Sequence, residues 1–135
     1  MAILDLVVAC CLANPNLGIM ADEAAKAYKI DPLLFHSVII VESNYKPNVV
    51  NKTVKTWSYG LAQVTKESAK FYCRLEDVLN PRQNLLCGAK ILRHQLDRYH
   101  NTDKALSAYN AGSYTPKNWM YVKKVRDQML EIEGN

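Results

Sequence analysis

Apolar residues along the chain recur mostly at three- and four-residue steps, the spacing of a single helix face. Behind Asn80-Pro81, the residues Leu85, Ala89, Leu92, Leu96 and Tyr99 step by four, three, four and three. That spacing predicts an amphipathic helix of about five turns. Asp31-Pro32 announces another start, since Asp31 can cap free amides and Pro32 suits the first helical position. This helix should run from Leu33 to about Glu42. Val122, Val125, Met129 and Ile132 mark the last helix. A further helical pattern covers Ala21 to about Tyr28, after a predicted turn at Asn14-Pro15-Asn16-Leu17-Gly18. Thr65 is the expected cap of a helix ending near Cys73, and Thr102 the expected cap of one that Gly112 stops. Between Asn44 and Trp57 the periodicity fails; Val49-Val50 and Val54 allow a short strand pair there. Ile3, Leu6, Val7, Cys10 and Cys11 read as a short amphipathic helix packed on the domain. A secretory signal fits less well, because Asp5 stands where a basic region belongs. The pattern predicts one mainly α domain over residues 1–135, with at most a very small β-hairpin.

Composition narrows this reading only a little. The 135 residues are 49% apolar and 22% charged, ordinary values for a globular chain. No apolar run approaches the roughly 18–20 residues of a membrane span. A net charge of +4 without a basic block does not imply nucleic acid, and suits weak attraction to a polyanion such as the bacterial cell surface. The four cysteines lack zinc spacing, and His36, His94 and His100 have no ligand company, so neither metal nor cofactor is expected. Buried free thiols are the favoured reading of the cysteines, with a Cys73–Cys87 bridge as the alternative.

Of the 13 acidic residues, Glu42 has the most unusual surroundings. It follows Val38-Ile39-Ile40-Val41 at the C-terminal end of its helix. Apolar neighbours and the negative helix end both penalise its carboxylate, raising the pKa. A carboxylic acid kept protonated near neutral pH is what glycosidic cleavage asks of a general acid, although a helix-end glutamate can also turn out to water. Two other segments carry sugar-binding chemistry. Ser58-Tyr59-Gly60-Leu61-Ala62-Gln63 and Ala108-Tyr109-Asn110-Ala111-Gly112 each combine an aromatic face with an amide. Singly, each is a weak signal, since a tyrosine and an asparagine at a helix end are more often core packing and a cap.

Taken in order, Glu42-Ser43, Tyr59-Gly60-Leu61-Ala62-Gln63, Asn84-Leu85-Leu86-Cys87-Gly88-Ala89, Ala108-Tyr109-Asn110-Ala111-Gly112 and Tyr121-Val122 resemble the soluble lytic transglycosylase domain. The motifs span residues 21–125, leaving 1–20 as an N-terminal helical extension. The resemblance implies a goose-lysozyme-like helical fold. It also implies non-hydrolytic cleavage of peptidoglycan between N-acetylmuramic acid and N-acetylglucosamine, giving 1,6-anhydro ends. By position, Glu42 matches the catalytic glutamate, acid and then base. Gln63, Tyr109 and Asn110 match substrate-binding residues, the Tyr109 hydroxyl lying near the glutamate. Tyr121 would close the cleft and Ser58 line its floor. Partners would be glycan strands, with the chain a monomer acting at the cell wall or periplasm. Phage origin, or delivery by a secretion or conjugation apparatus, would fit. Three departures stand out: Ala62 replaces the usual methionine, Asn51 stands in place of a serine after the glutamate, and no acidic residue precedes Tyr121. A hydrolase like goose-type lysozyme, with Asp97 or Asp103 as the added acid, is the enzymatic alternative; a non-catalytic helical binding module is the other.

Overall fold

The computed structural model describes residues 15–134; the reading of residues 1–13 as an amphipathic helix lies outside them. The order is helix α1 (Pro15–Ala27), helix α2 (Pro32–Ser43), strands β1 (Val50–Lys52), β2 (Trp57–Tyr59) and β3 (Val64–Thr65), then helix α3 (Lys66–Tyr72). A 3-10 turn (Leu75–Leu79), helix α4 (Pro81–Tyr99), helix α5 (Thr102–Ala111), a second 3-10 turn (Pro116–Asn118) and helix α6 (Trp119–Gly134) follow. The architecture is mainly α with a tiny sheet, as the periodicity implies.

Helix α2 is the centre of the fold. Its residues Leu33 to Ile39 are all buried, and it packs between α1 and α6. A helix apolar on every side has to be enclosed, and each buried aliphatic or aromatic side chain contributes about 1.5–3 kcal/mol. Asp31 caps it as expected, its side chain accepting from the Leu33 amide at 2.9 Å. At the other end Asn44 and Tyr45 take φ of +50° and +58°, turning the chain sharply towards the sheet. His36 lies in this core, sharing a hydrogen bond with the Tyr45 hydroxyl. Burial lowers its pKa to about 4, against the opposing pull of Asp22. It is a neutral core histidine.

Four local expectations need correction. Residues 15–18 do not form a turn: α1 begins at Pro15, a residue helices accept in their first turn, and Leu17 is already part of the core. The cap of α5 is Asn101, whose side chain accepts from the Lys104 amide at 2.9 Å; Thr102 is the first helical residue. Val54 belongs to no strand but sits fully exposed in the loop, and the strands form a three-stranded antiparallel sheet rather than a single pair. Cys73 and Cys87 are bonded to each other, not free.

That disulfide ties the C-cap of α3 to the middle of α4. Helix α3 is seven residues long with Ala69 as its one buried residue, too little to hold it in place alone. Closing a loop of this length stabilises a fold by about 3 kcal/mol. The paired Cys73→Ser and Cys87→Ser variant should therefore melt about 10 °C lower in a thermal scan, and reductant should reproduce the loss in the parent. An unchanged melting temperature would contradict the bond.

Candidate active site

A cleft of about 580 Å³ opens between the sheet, α3, α4 and α5, with Glu42 on its wall. The sheet contributes a polar row. Asn51, Ser58 and Thr65 are register partners across the three strands, and all three line the cleft. Tyr109, Asn110 and Gly112 supply the edge given by the end of α5.

Glu42 is half-buried at the end of α2. Burial raises its pKa to about 7, opposed by one hydrogen bond from the Tyr121 hydroxyl. That bond, to Oε2 at 2.8 Å, reaches across 79 positions of sequence. Burial is the cause that the apolar run before Glu42 suggested. Near neutral pH this carboxyl group is therefore divided between acid and base. Tyr121 itself is not among the residues that line the cleft. It stands behind the glutamate, because α6 packs against α2 and brings its first turn there. The phenols of Tyr121 and Tyr109 both lie well above their ordinary pKa, first through burial and then through the Glu42 charge, so both remain neutral donors.

The loop over Gly60–Gln63 is fixed from below by Asn84 on α4, which is 1% exposed. Its Oδ1 accepts from the Ala62 amide at 2.8 Å, and its Nδ2 donates to the Tyr59 and Val78 carbonyls, each at 2.9 Å. Gly60 has φ +76°, and a Cβ there would stand 2.6 Å from Asn84 Nδ2. Glycine is required on both counts. Gly88, one turn beyond Asn84, leaves room for Ala62: a Cβ on it would lie 2.4 Å from Ala62 Cβ and 3.0 Å from the Tyr109 hydroxyl. That hydroxyl donates to the Ala62 carbonyl at 2.7 Å. Both peptide groups flanking Ala62 are thus held by side chains from α4 and α5.

Gln63 is reached through this loop with φ +53°. Its Nε2 donates to the carbonyls of Val49 and Gly60 at 3.1 and 2.9 Å, and its Oε1 accepts from Asn51 Nδ2 at 2.7 Å. Gln63 lines the cleft and also braces the hairpin. Asn110 is exposed on the rim, its Oδ1 accepting from Asn118. All the sequence-predicted site residues except Tyr121 meet on the cleft wall.

Several cleft residues escaped the sequence reading. Glu67 on α3 lines the cleft as a second carboxylate. Its own backbone N–H, then the Thr56 hydroxyl, hold it below the usual carboxylate range. Tyr72, Ile91 and Gln95 line the far side. Glu67 reads in sequence as a first-turn helix charge, and Gln95 merely borders the apolar face of α4. By contrast Asp97 and Asp103, the acids named for the hydrolase alternative, pair with Arg93 and Arg126 and do not line the cleft.

A mainly helical domain whose cleft holds one half-buried, proton-retaining glutamate beside amides and tyrosines belongs to the lysozyme-like class. The comparison with known proteins narrows that class: the Transglycosylase SLT domain family matches residues 19–131, and the chain belongs to it. It is similar to the transglycosylase of Enterobacteria phage PRD1, with 34% identity over 117 residues, 83% of this chain. It covers 42% of that phage protein. A peptidoglycan-binding-like protein of Escherichia coli O157:H7 is 29% identical over 120 residues, 77% of this chain and 72% of that protein. The X polypeptide of Escherichia coli is 33% identical over 97 residues, 67% of this chain and 57% of that protein. No helix among the described residues is long and apolar enough to cross a membrane.

Proposed function

We propose that this chain is a peptidoglycan lytic transglycosylase in which Glu42 acts first as acid and then as base. The observation that carries this is the Glu42 pKa of about 7 at the wall of an open cleft. Protonated Glu42 gives its proton to the glycosidic oxygen between N-acetylmuramic acid and N-acetylglucosamine, and the C1–O bond breaks. The resulting carboxylate then takes the proton of the muramic acid C6 hydroxyl, whose oxygen closes onto C1. The product is a 1,6-anhydro end, water is not consumed, and Glu42 is protonated again. A group with a pKa near the working pH can perform both transfers. Ser58, Gln63, Tyr109 and Asn110 would bind the glycan along the cleft, and Tyr121 would hold the glutamate in place. The phage transglycosylase among its relatives supports the same reading. The cell wall would be the place of action, with the whole chain working as one cutting unit.

Glu67 supports a second reading. An ionised carboxylate on the same cleft is the group a hydrolase would use to activate water. Digestion of purified peptidoglycan, with mass analysis of the released glycans, separates the two. Anhydro ends, lighter by one water, are expected; reducing ends throughout would establish hydrolysis instead.

Tyr121→Phe tests the arrangement behind Glu42. The hydroxyl stabilises the carboxylate form, so its loss raises the Glu42 pKa further. The alkaline limb of the kcat/KM profile should move to higher pH. The rate at the optimum should fall about 10-fold, the equivalent of one charge-assisted hydrogen bond. A profile superimposable on that of the parent would remove Tyr121 from the mechanism.

A further inference from the structure

Among the described residues, three buried side chains carry a polar atom with no hydrogen-bond partner: His36, Ser37 and Gln95. His36 and Ser37 lie inside α2, away from the cleft. Gln95 lines the cleft, although it is only 2% exposed, and its Oε1 is the unpartnered atom. A buried carboxamide oxygen left without a donor is costly to a fold, so an external donor is the natural complement. The surroundings say what kind. Ile91 stands one helical turn before Gln95 on α4, and Ala108 faces the same cleft from α5; both are apolar and nearly buried. The site therefore offers one amide against a small apolar surface. A sugar hydroxyl would satisfy the amide but waste the apolar wall. An acetamido group matches both, with a polar N–H and a methyl two bonds further on. The last torsion of a glutamine side chain is soft and roughly two-fold, so the carboxamide can present its oxygen or its NH2 as the ligand requires.

We propose that Gln95, Ile91 and Ala108 form an acetamido subsite for an N-acetylated sugar of the glycan, with Gln95 accepting its N–H and the two apolar side chains covering its methyl. This rests on the reading of the cleft as a glycan site, but it concerns recognition and not bond cleavage. Its test can therefore be kept apart from the anhydro-end assay.

The probes are the tetramer of N-acetylglucosamine and the tetramer of glucosamine, titrated by calorimetry into Glu42→Gln protein with and without Gln95→Leu. The acetylated tetramer should bind the Gln95→Leu protein about 10-fold more weakly, a single lost hydrogen bond to a buried group. The glucosamine tetramer should bind both proteins alike. Leucine also removes the unpartnered buried carboxamide, so Gln95→Leu should raise the melting temperature while weakening binding. A purely structural glutamine would do neither. Gln95→Met, which keeps the side-chain length, should behave the same way. Equal affinity of both proteins for the acetylated tetramer, parallel loss of both tetramers, or no binding of the acetylated tetramer by the parent would each overturn the subsite. Reducing ends from peptidoglycan would overturn the transglycosylase reading while leaving the binding result as it stands.

Discussion

Glu42→Gln should reduce peptidoglycan cleavage by about 1000-fold, the loss typical of removing a positioned acid–base group. Glutamine keeps the shape and can still accept from Tyr121, but it cannot give or take the proton. The same variant should be the more stable protein above neutral pH, and the sign follows from linkage. The folded-state pKa of Glu42 lies at about 7, above the unfolded value of 4.5. Its favourable contribution is therefore fully present below pH 4.5 and lost as pH rises towards and through 7. Above that range the wild type carries a half-buried carboxylate which the glutamine variant lacks. Denaturant unfolding should show no difference near pH 4, growing to at most about 3 kcal/mol in favour of the variant by pH 8. Loss of activity with that stability gain identifies a functional acid. Retained activity would remove Glu42 from catalysis, and a variant less stable at pH 8 would contradict the burial argument.

Asn84→Ala should be the most damaging single change to the fold. It removes three buried hydrogen bonds, strands the Ala62 amide without its acceptor, and opens a void below the Gly60 turn. Each stranded buried group costs about 1–3 kcal/mol, so a total of about 4 kcal/mol is expected, lowering the melting temperature by about 12 °C. Cleavage should fall as well, because the loop that Asn84 clamps carries Gln63 onto the cleft wall. Asn84→Asp provides the comparison. Its carboxylate can still accept from Ala62 but cannot donate to Tyr59 and Val78. If the alanine variant melted within about 3 °C of the wild type, the clamp would not be the support described.

Much of the fold was legible because capping and periodicity are local. Asp31-Pro32, Asn80-Pro81, Thr65 and Gly112 act at the helix ends where their chemistry places them. Two of the failures were equally local choices between equivalent residues. Asn101 and Thr102 can each cap a helix, and a proline such as Pro15 suits a turn or a helix start alike. The site was legible in a different way. Apolar neighbours before Glu42 foretold its burial, but nothing in the chain near residue 42 reveals that a tyrosine 79 positions later donates to it. Asn84 and Gly88 belonged to a recognisable motif whose purpose, the tight approach of α4 to the Ala62 loop, exists only in three dimensions. Gln95 and Glu67 left no signal, since a polar residue beside an apolar helix face is ordinarily a solvent-facing one.

Tyr121 stands in the first turn of α6, and the remainder of that helix is held to the core by Val125 and Ile132. The acid strength of Glu42 thus depends on a helix that lies 79 positions further along the chain. Lifting α6 away from α2 would leave Glu42 wet, an ordinary carboxylate that is ionised at neutral pH.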